Sequence, residues 1–231
     1  AMFEGRGRSL RLLDAGAGVG SLTAAWVAEM CAREHPPQEL SVVAYEIDPT
    51  LVEYLRSTLD ACRAHCQLVG IPFQAEVRQQ DFIGAGVAAL RGGLFPGPRE
   101  EFDAAILNPP YRKMHSNSVE RHLMRRVGIE VSNLYAAFLV LAVKLLEPGG
   151  QLVAITPRSF FNGPYFKPFR AFFLAEMDIR RIHSFEKRDL LFGDADVLQE
   201  NVILHACKEK QTKQQVVISS SLGAEDPWLS F

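Results

Sequence analysis

Seven short, β-branched apolar runs alternate with longer helical patterns along the 231 residues, and this rhythm constrains the fold more than any other feature. The runs are Leu10–Asp14, Ser41–Glu46, Phe73–Gln80, Phe102–Leu107, Gln151–Thr156, Ile179–Phe185 and Asn201–Cys207. Between them lie helical patterns over Ser21–Glu34, Leu134–Leu146 and Phe166–Glu176. A fourth starts at Asp48-Pro49 and puts Leu51, Leu55, Leu59 and Cys62 on one stripe. Strand–helix–strand units of this kind join parallel neighbours by crossovers, so both faces of the sheet are covered. The expectation is an α/β fold around a mostly parallel seven-stranded sheet with helices on both faces. No repeat or linker divides the chain, so 1–231 reads as a single domain. Gly84–Glu101, rich in Gly and Pro, and the long basic stretch Arg112–Ser132 are expected to be mobile loops.

Composition narrows the class by exclusion. With 48% hydrophobic and 10% aromatic residues the chain has material for a full core, which excludes disorder, collagen and coiled coil. The longest apolar stretch, Ala136–Leu146, contains Lys144 and is too short to span a bilayer, so no membrane role is expected. Arg6, Arg8 and Arg11 break up the N-terminus, so no secretory leader is expected. The four cysteines are too sparse for a disulfide framework, which points to a reducing, cytoplasmic setting. Cys62 and Cys66 share a helical face, but Cys31 and Cys207 lack the spacing to complete a ligand set, so no metal is expected. His35 and His183 read as structural. Charge is uneven. Residues 1–111 carry nine basic and fourteen acidic side chains, whereas 112–188 carries thirteen basic and six acidic ones. A polyanion would therefore dock on one side only.

Four short motifs fall at the ends of successive strands. The first, Asp14-Ala15-Gly16-Ala17-Gly18-Val19-Gly20, separates a strand from a helix; its glycines let backbone approach a ligand, and Asp14 suits a positive or amino group. The spacing is not that of the dinucleotide fingerprint. The second, Tyr45-Glu46-Ile47-Asp48-Pro49, offers Glu46 to ribose hydroxyls, while Asp48 reads as a helix N-cap before Pro49. The third, Gln80-Asp81-Phe82, places a carboxylate where it can accept from an adenine amino group, with Phe82 beside the ring. The fourth, Asn108-Pro109-Pro110-Tyr111, is the most specific. An amine attached to an aromatic ring is a weak nucleophile because its lone pair is delocalised. The Asn108 side-chain oxygen and the Pro109 carbonyl can accept its two hydrogens and direct the lone pair at an electrophile. Pro110 fixes the backbone without donating, and Tyr111 can stack on a planar base.

Together these residues resemble the Rossmann-like, S-adenosylmethionine-dependent N6-adenine DNA methyltransferases, especially those of restriction-modification systems. The resemblance covers roughly Leu10–Lys208 and implies a class I methyltransferase fold. It gives Asp14, Gly16, Gly18, Glu46, Ile47, Asp81, Phe82 and Asn108 to S-adenosylmethionine, and Asn108, Pro109 and Tyr111 to catalysis and base stacking. A second aromatic of the family lies before the last strand pair; Phe192 in Leu190-Leu191-Phe192-Gly193 stands in the matching place. DNA, with its target adenine rotated out of the duplex, is the implied partner. Basic residues Arg112, Lys113, Arg121, Arg125 and Arg126 are candidates for phosphate contact.

The order of the motifs matches the family's gamma arrangement. Only 26 residues separate Asp81 from Asn108, too few for a target-recognition domain, and 24 follow Cys207. The family's N-terminal motif region is represented at most by Met2-Phe3. The expected reading is a catalytic core cut from a longer protein, or one served by a separate specificity subunit. The alternatives that share this chemistry are protein glutamine and RNA adenine N-methyltransferases; a noncatalytic DNA-binding module of the same fold is the alternative outside enzymes.

Overall fold

The computed structural model describes residues 9–91, 100–185, 201–209, 215–221 and 229–230. All seven expected strands are present: β1 (Ser9–Ala15), β2 (Glu39–Tyr45), β3 (Phe73–Arg78), β4 (Phe102–Leu107), β5 (Leu146–Pro157), β6 (Asp178–Phe185) and β7 (Asn201–Cys207). Two more, β8 (Val217–Ser221) and β9 (Leu229–Ser230), extend the sheet to the order β3-β2-β1-β4-β5-β7-β6-β8-β9. The five strands from β3 to β5 pair in parallel, and β7 runs antiparallel to both of its neighbours.

The sheet is buried on both faces at its centre, which explains why β1 and β2 carry consecutive apolar residues, Leu12-Leu13 and Val42-Val43-Ala44-Tyr45. On β1, Leu12 faces one core and Leu13 the other; on β2, Val42 and Val43 divide the same way. One face is covered by α1 (Ser21–Cys31) and α2 (Pro49–Leu68), with Trp26, Val27, Met30, Leu55 and Leu59 inside. The other is covered by α3 (Phe82–Arg91), α5 (Leu134–Leu145) and α6 (Lys167–Glu176). Every residue of α5 except Lys144 is buried, so this helix is the pillar of that layer.

Both expected loops contain a helix. α3 forms through all of Gly84–Arg91 despite two glycines, because Asp81 caps it: Gly84 N donates to Asp81 Oδ2 at 2.7 Å. Phe82, Ile83, Gly86 and Val87 make its buried stripe. Gly86 is small for a reason, since a Cβ there would lie 3.3 Å from Leu141 Cδ1. Packing against α5 thus overrides poor helix propensity. Within Arg112–Ser132, α4 (Val119–Arg126) starts at a Ser118 cap, buries Met124, and holds Arg121 and Arg125 against Glu130. The excursion is closed at its base by Met114 N to Ser132 O and Leu134 N to Arg112 O. Residues 92–99 of the first expected loop lie outside the described residues. The cysteines are free thiols, with Cys31 Sγ 3.6 Å from Cys66 Sγ between α1 and α2. No helix among the described residues is long and apolar enough to cross a membrane.

Gly20 is the tightest point of this frame. It sits at φ 86° before α1, and an added Cβ would come within 2.8 Å of Leu55 Cδ1 and 3.1 Å of Thr58 Cγ2. Gly20→Ala is expected to cost about 2–4 kcal/mol from left-handed strain plus overpacking. Gly70→Ala, at φ 75° with open space around it, should cost only about 1 kcal/mol. Urea denaturation of the two variants checks the contrast.

Candidate active site

From β1 the chain steps outward to β2 and β3, then returns to the other side of β1 as β4. This reversal opens a crevice at the carboxyl ends of β1 and β4, the usual place for a ligand in an open α/β sheet. Asp14 on β1 pairs with Ile106 on β4, so Asn108, two residues on, emerges level with Gly16. The glycine turn and Asn108-Pro109-Pro110-Tyr111 therefore stand side by side at the crevice.

The glycine turn is held from below by three ties. Gly16 N and Ala17 N both donate to Tyr45 O at 2.9 Å, Gly18 N donates to Glu46 Oε2 at 2.8 Å, and Thr58 Oγ1 donates to Val19 O at 2.7 Å. Gly16, Gly18 and Gly20 all have positive φ, at 75°, 57° and 86°. A Cβ on Gly18 would meet nothing within 4 Å, so the turn presents bare backbone to open space there.

Asp14 lies buried directly beneath. Its Oδ2 accepts from Thr23 Oγ1 at 2.6 Å, and its Oδ1 has no hydrogen-bond partner among the described residues. Burial, with a further push from the nearby Glu46 charge, raises its pKa to about 7 against the pull of Thr23. A buried carboxylate with one unmet oxygen is costly unless a donor or cation arrives. Thr23 was not legible as a site residue: the available signal is its place three residues after Gly20, which turns it toward the end of β1.

Glu46 is buried at the end of β2 and is already well used. Besides Gly18 N, it accepts from Ile47 N at 2.8 Å and Asp48 N at 2.9 Å through Oε1. A carboxylate offers about four lone-pair sites, so one remains, on Oε2. The expectation that Glu46 takes two hydroxyls is thereby reduced to one. Ile47 is exposed beside it, and Asp48 is the N-cap of α2, accepting from Thr50 N and Leu51 N.

Asp81 also serves as a cap, and it keeps its carboxylate at the surface. Phe82 departs from expectation. Its ring is buried between Tyr45 and Phe138, each with its centroid 5.1 Å away, so the ring is a core element rather than a platform open to a ligand.

In the second loop Asn108 is exposed and Pro109 buried. Tyr111 Oη lies 3.0 Å from Asn108 Oδ1 and 3.3 Å from Ile155 O, donating its one proton between them. Burial pushes the Tyr111 hydroxyl up to about 12, so it stays a donor at neutral pH. Its ring stands edge-on to Tyr135, centroids 6.2 Å apart, and Tyr135 Oη meets Ser159 Oγ at 3.2 Å. Tyr135 and Ser159, which back the Tyr111 ring, were marked by no motif. Phe192 lies outside the described residues. No group of His, Cys, Asp and Glu among the described residues is arranged to hold a metal ion.

Comparison with known proteins fits this geometry. The family model for Eco57I restriction-modification methylase matches residues 72–192. Type II methyltransferase M.PstI of Providencia stuartii is 43% identical over 225 residues, and M.BsuBI of Bacillus subtilis is 41% identical over 216. These alignments take in 97% and 93% of the chain but only 43% and 41% of the relatives, so the chain spans less than half of their length. Among solved structures, a protein assigned as a class I S-adenosylmethionine-dependent methyltransferase from Listeria monocytogenes superposes with a TM-score of 0.66 at 16% identity, over 95% of this chain and 61% of that one. The M protein of the type I restriction enzyme EcoKI does so with a TM-score of 0.53 at 13% identity, over 94% and 46%. At such identities the likeness establishes the fold, which is that of the class I methyltransferases. The strand order, the crevice between the two loops and the family match converge: the chain belongs to the Eco57I restriction-modification methylase family.

Proposed function

We propose that this chain is the catalytic part of an N6-adenine DNA methyltransferase of a restriction-modification system, using S-adenosylmethionine as methyl donor. The observation that carries the reading is the position of Asn108-Pro109 beside the glycine turn, at the reversal of the sheet. Reading of the target sequence falls to another domain or subunit, since the 26 residues between Asp81 and Asn108 are largely taken up by α3 and β4.

The residues present fit the cofactor. Among the described residues Asp14 has a buried oxygen without a partner, suited to a cationic amino group; Gly18 leaves backbone open to close approach, and Gly16 turns beside it at φ 75°. Glu46 has one acceptor site left for a ribose hydroxyl. Ile47 offers an exposed apolar face for an adenine ring, and Asp81 a surface carboxylate for its amino group. Phe82 contributes by packing the wall from behind. When bound, the cofactor supplies a methyl group activated by a positively charged sulfur.

The protein's own part is alignment. Asn108 Oδ1 and the Pro109 carbonyl accept the two hydrogens of the adenine amine, drawing its lone pair out of conjugation and toward the crevice. The Tyr111 hydroxyl fixes which way the Asn108 amide faces. The rings of Tyr111 and Phe192 take the place of stacking lost when the base leaves the duplex, worth about 1–3 kcal/mol per contact.

Two predictions test this. Asn108→Ala should lower tritiated methyl transfer to unmethylated plasmid or phage DNA by about 100-fold or more while calorimetric affinity for S-adenosylmethionine is unchanged; persisting turnover would remove Asn108 from catalysis. Asp14 binds its proton more tightly folded than unfolded, so its stability contribution is complete below the ordinary carboxylate value near 3.8 and is lost as pH rises toward 7. Asp14→Asn should therefore melt several degrees above the parent at pH 8 and alongside it near pH 4, at roughly 2–4 °C per kcal/mol. The same variant should bind the cofactor more weakly.

A further inference from the structure

The segment that follows β5 leaves the sheet at the same edge as Asn108, because β4 and β5 are parallel and Leu107 pairs with Ala154. It is a built loop. Arg170 on α6 donates to three of its carbonyls, Phe160 O at 3.0 Å, Asn162 O at 3.1 Å and Gly163 O at 2.9 Å. Gly163 turns the chain at φ 81°, and Pro164 begins a single 3₁₀ turn over Pro164–Phe166. Phe166 packs inward on Tyr135, centroids 5.6 Å apart, and Tyr135 in turn meets Tyr111. Its neighbour Tyr165 points the other way and is 81% exposed.

So rigid a loop gains nothing for folding from a tyrosine in water. An aromatic ring held out on a fixed backbone has little entropy left to lose on contact, which suits stacking on a flat partner. The charge around it selects that partner. Residues 148–175 contain no acidic side chain, and exposed Arg158 and Lys167 flank the loop. A basic, aromatic segment with no acidic residue of its own, leaving the sheet at the same edge as Asn108, fits a nucleic acid duplex.

We infer that Tyr165 is a DNA-contacting residue, stacking on the duplex next to the displaced adenine while Lys167 holds a phosphate. This rests on the DNA methyltransferase reading above, and the test separates the two. With unmethylated plasmid or phage DNA, Tyr165→Ala should raise the KM for DNA by about 5- to 100-fold. Its kcat at saturating DNA, S-adenosylmethionine affinity and melting temperature should match the parent. Tyr165→Phe should restore the KM, because stacking does not need the hydroxyl. Lys167→Ala should flatten the salt dependence of DNA affinity by about one unit of slope, and Tyr165→Ala should leave that slope unchanged. A Tyr165→Ala enzyme with the parent's KM, or a Tyr165→Phe enzyme as impaired as Tyr165→Ala, overturns the inference and leaves the methyltransferase reading standing. An unsubstituted protein that transfers no methyl to DNA even with the domain or subunit that reads its target overturns both.

Discussion

The parallel pairing of β1 with β4 is the constraint on which the remaining chemistry depends. Because the chain goes out to β3 before coming back, two loops far apart in sequence leave the sheet at one level, with Asp14 opposite Ile106. One loop is open backbone over a buried acid; the other is an amide and a prolyl carbonyl. Neither could bring two reactants together alone. Shifting the register by one residue would turn the buried side chains of β4 to the wrong face, so the core that buries Ala105 and Leu107 on one side and Ala104 and Ile106 on the other also fixes the site.

The electrostatics of the crevice follow from where the sheet ends. Asp14 and Glu46 are both buried at neighbouring strand ends, and they are handled differently. Glu46 is satisfied by three backbone amides and so acts as a bracket that clamps the glycine turn onto β2. Among the described residues Asp14 has only Thr23, and its unmet oxygen and raised pKa mark a place where folding alone leaves a cost. Buried groups kept out of balance in this way are characteristic of ligand sites.

Much of this was legible in the sequence, for physical reasons that also explain what was not. β1, β2, β4 and β7 are buried and β-branched or alternating, so their bounds fell within one or two residues of expectation. The four motifs stood at strand ends and were visible as breaks in apolar patterning. α3 was hidden because Gly84 and Gly86 read as loop residues, and only the close approach of Leu141 explains Gly86. α4 was hidden because it buries little beyond Met124 and carries five charged or His residues on a short span. β8 and β9 lie in a tail whose Ser219-Ser220-Ser221 run lacks the β-branched, apolar residues that mark a strand. Phe82 was misplaced because a strand-end aromatic can turn to the crevice or to the core, and only the ring contacts of Tyr45 and Phe138 decide it. The role of Glu46 as a bracket depends on the amide of Gly18, 28 residues back and beyond the reach of local pattern.

The central claim is that Asn108 and Pro109 position an exocyclic amine of adenine. It is tested most directly by identifying the modified nucleoside: tritiated methyl groups are transferred from S-adenosylmethionine to unmethylated DNA, and the DNA is digested and separated. The account predicts label in N6-methyldeoxyadenosine. Label on cytosine, whether on carbon 5, which bears no amine for those acceptors to hold, or on its own exocyclic amine, would contradict it.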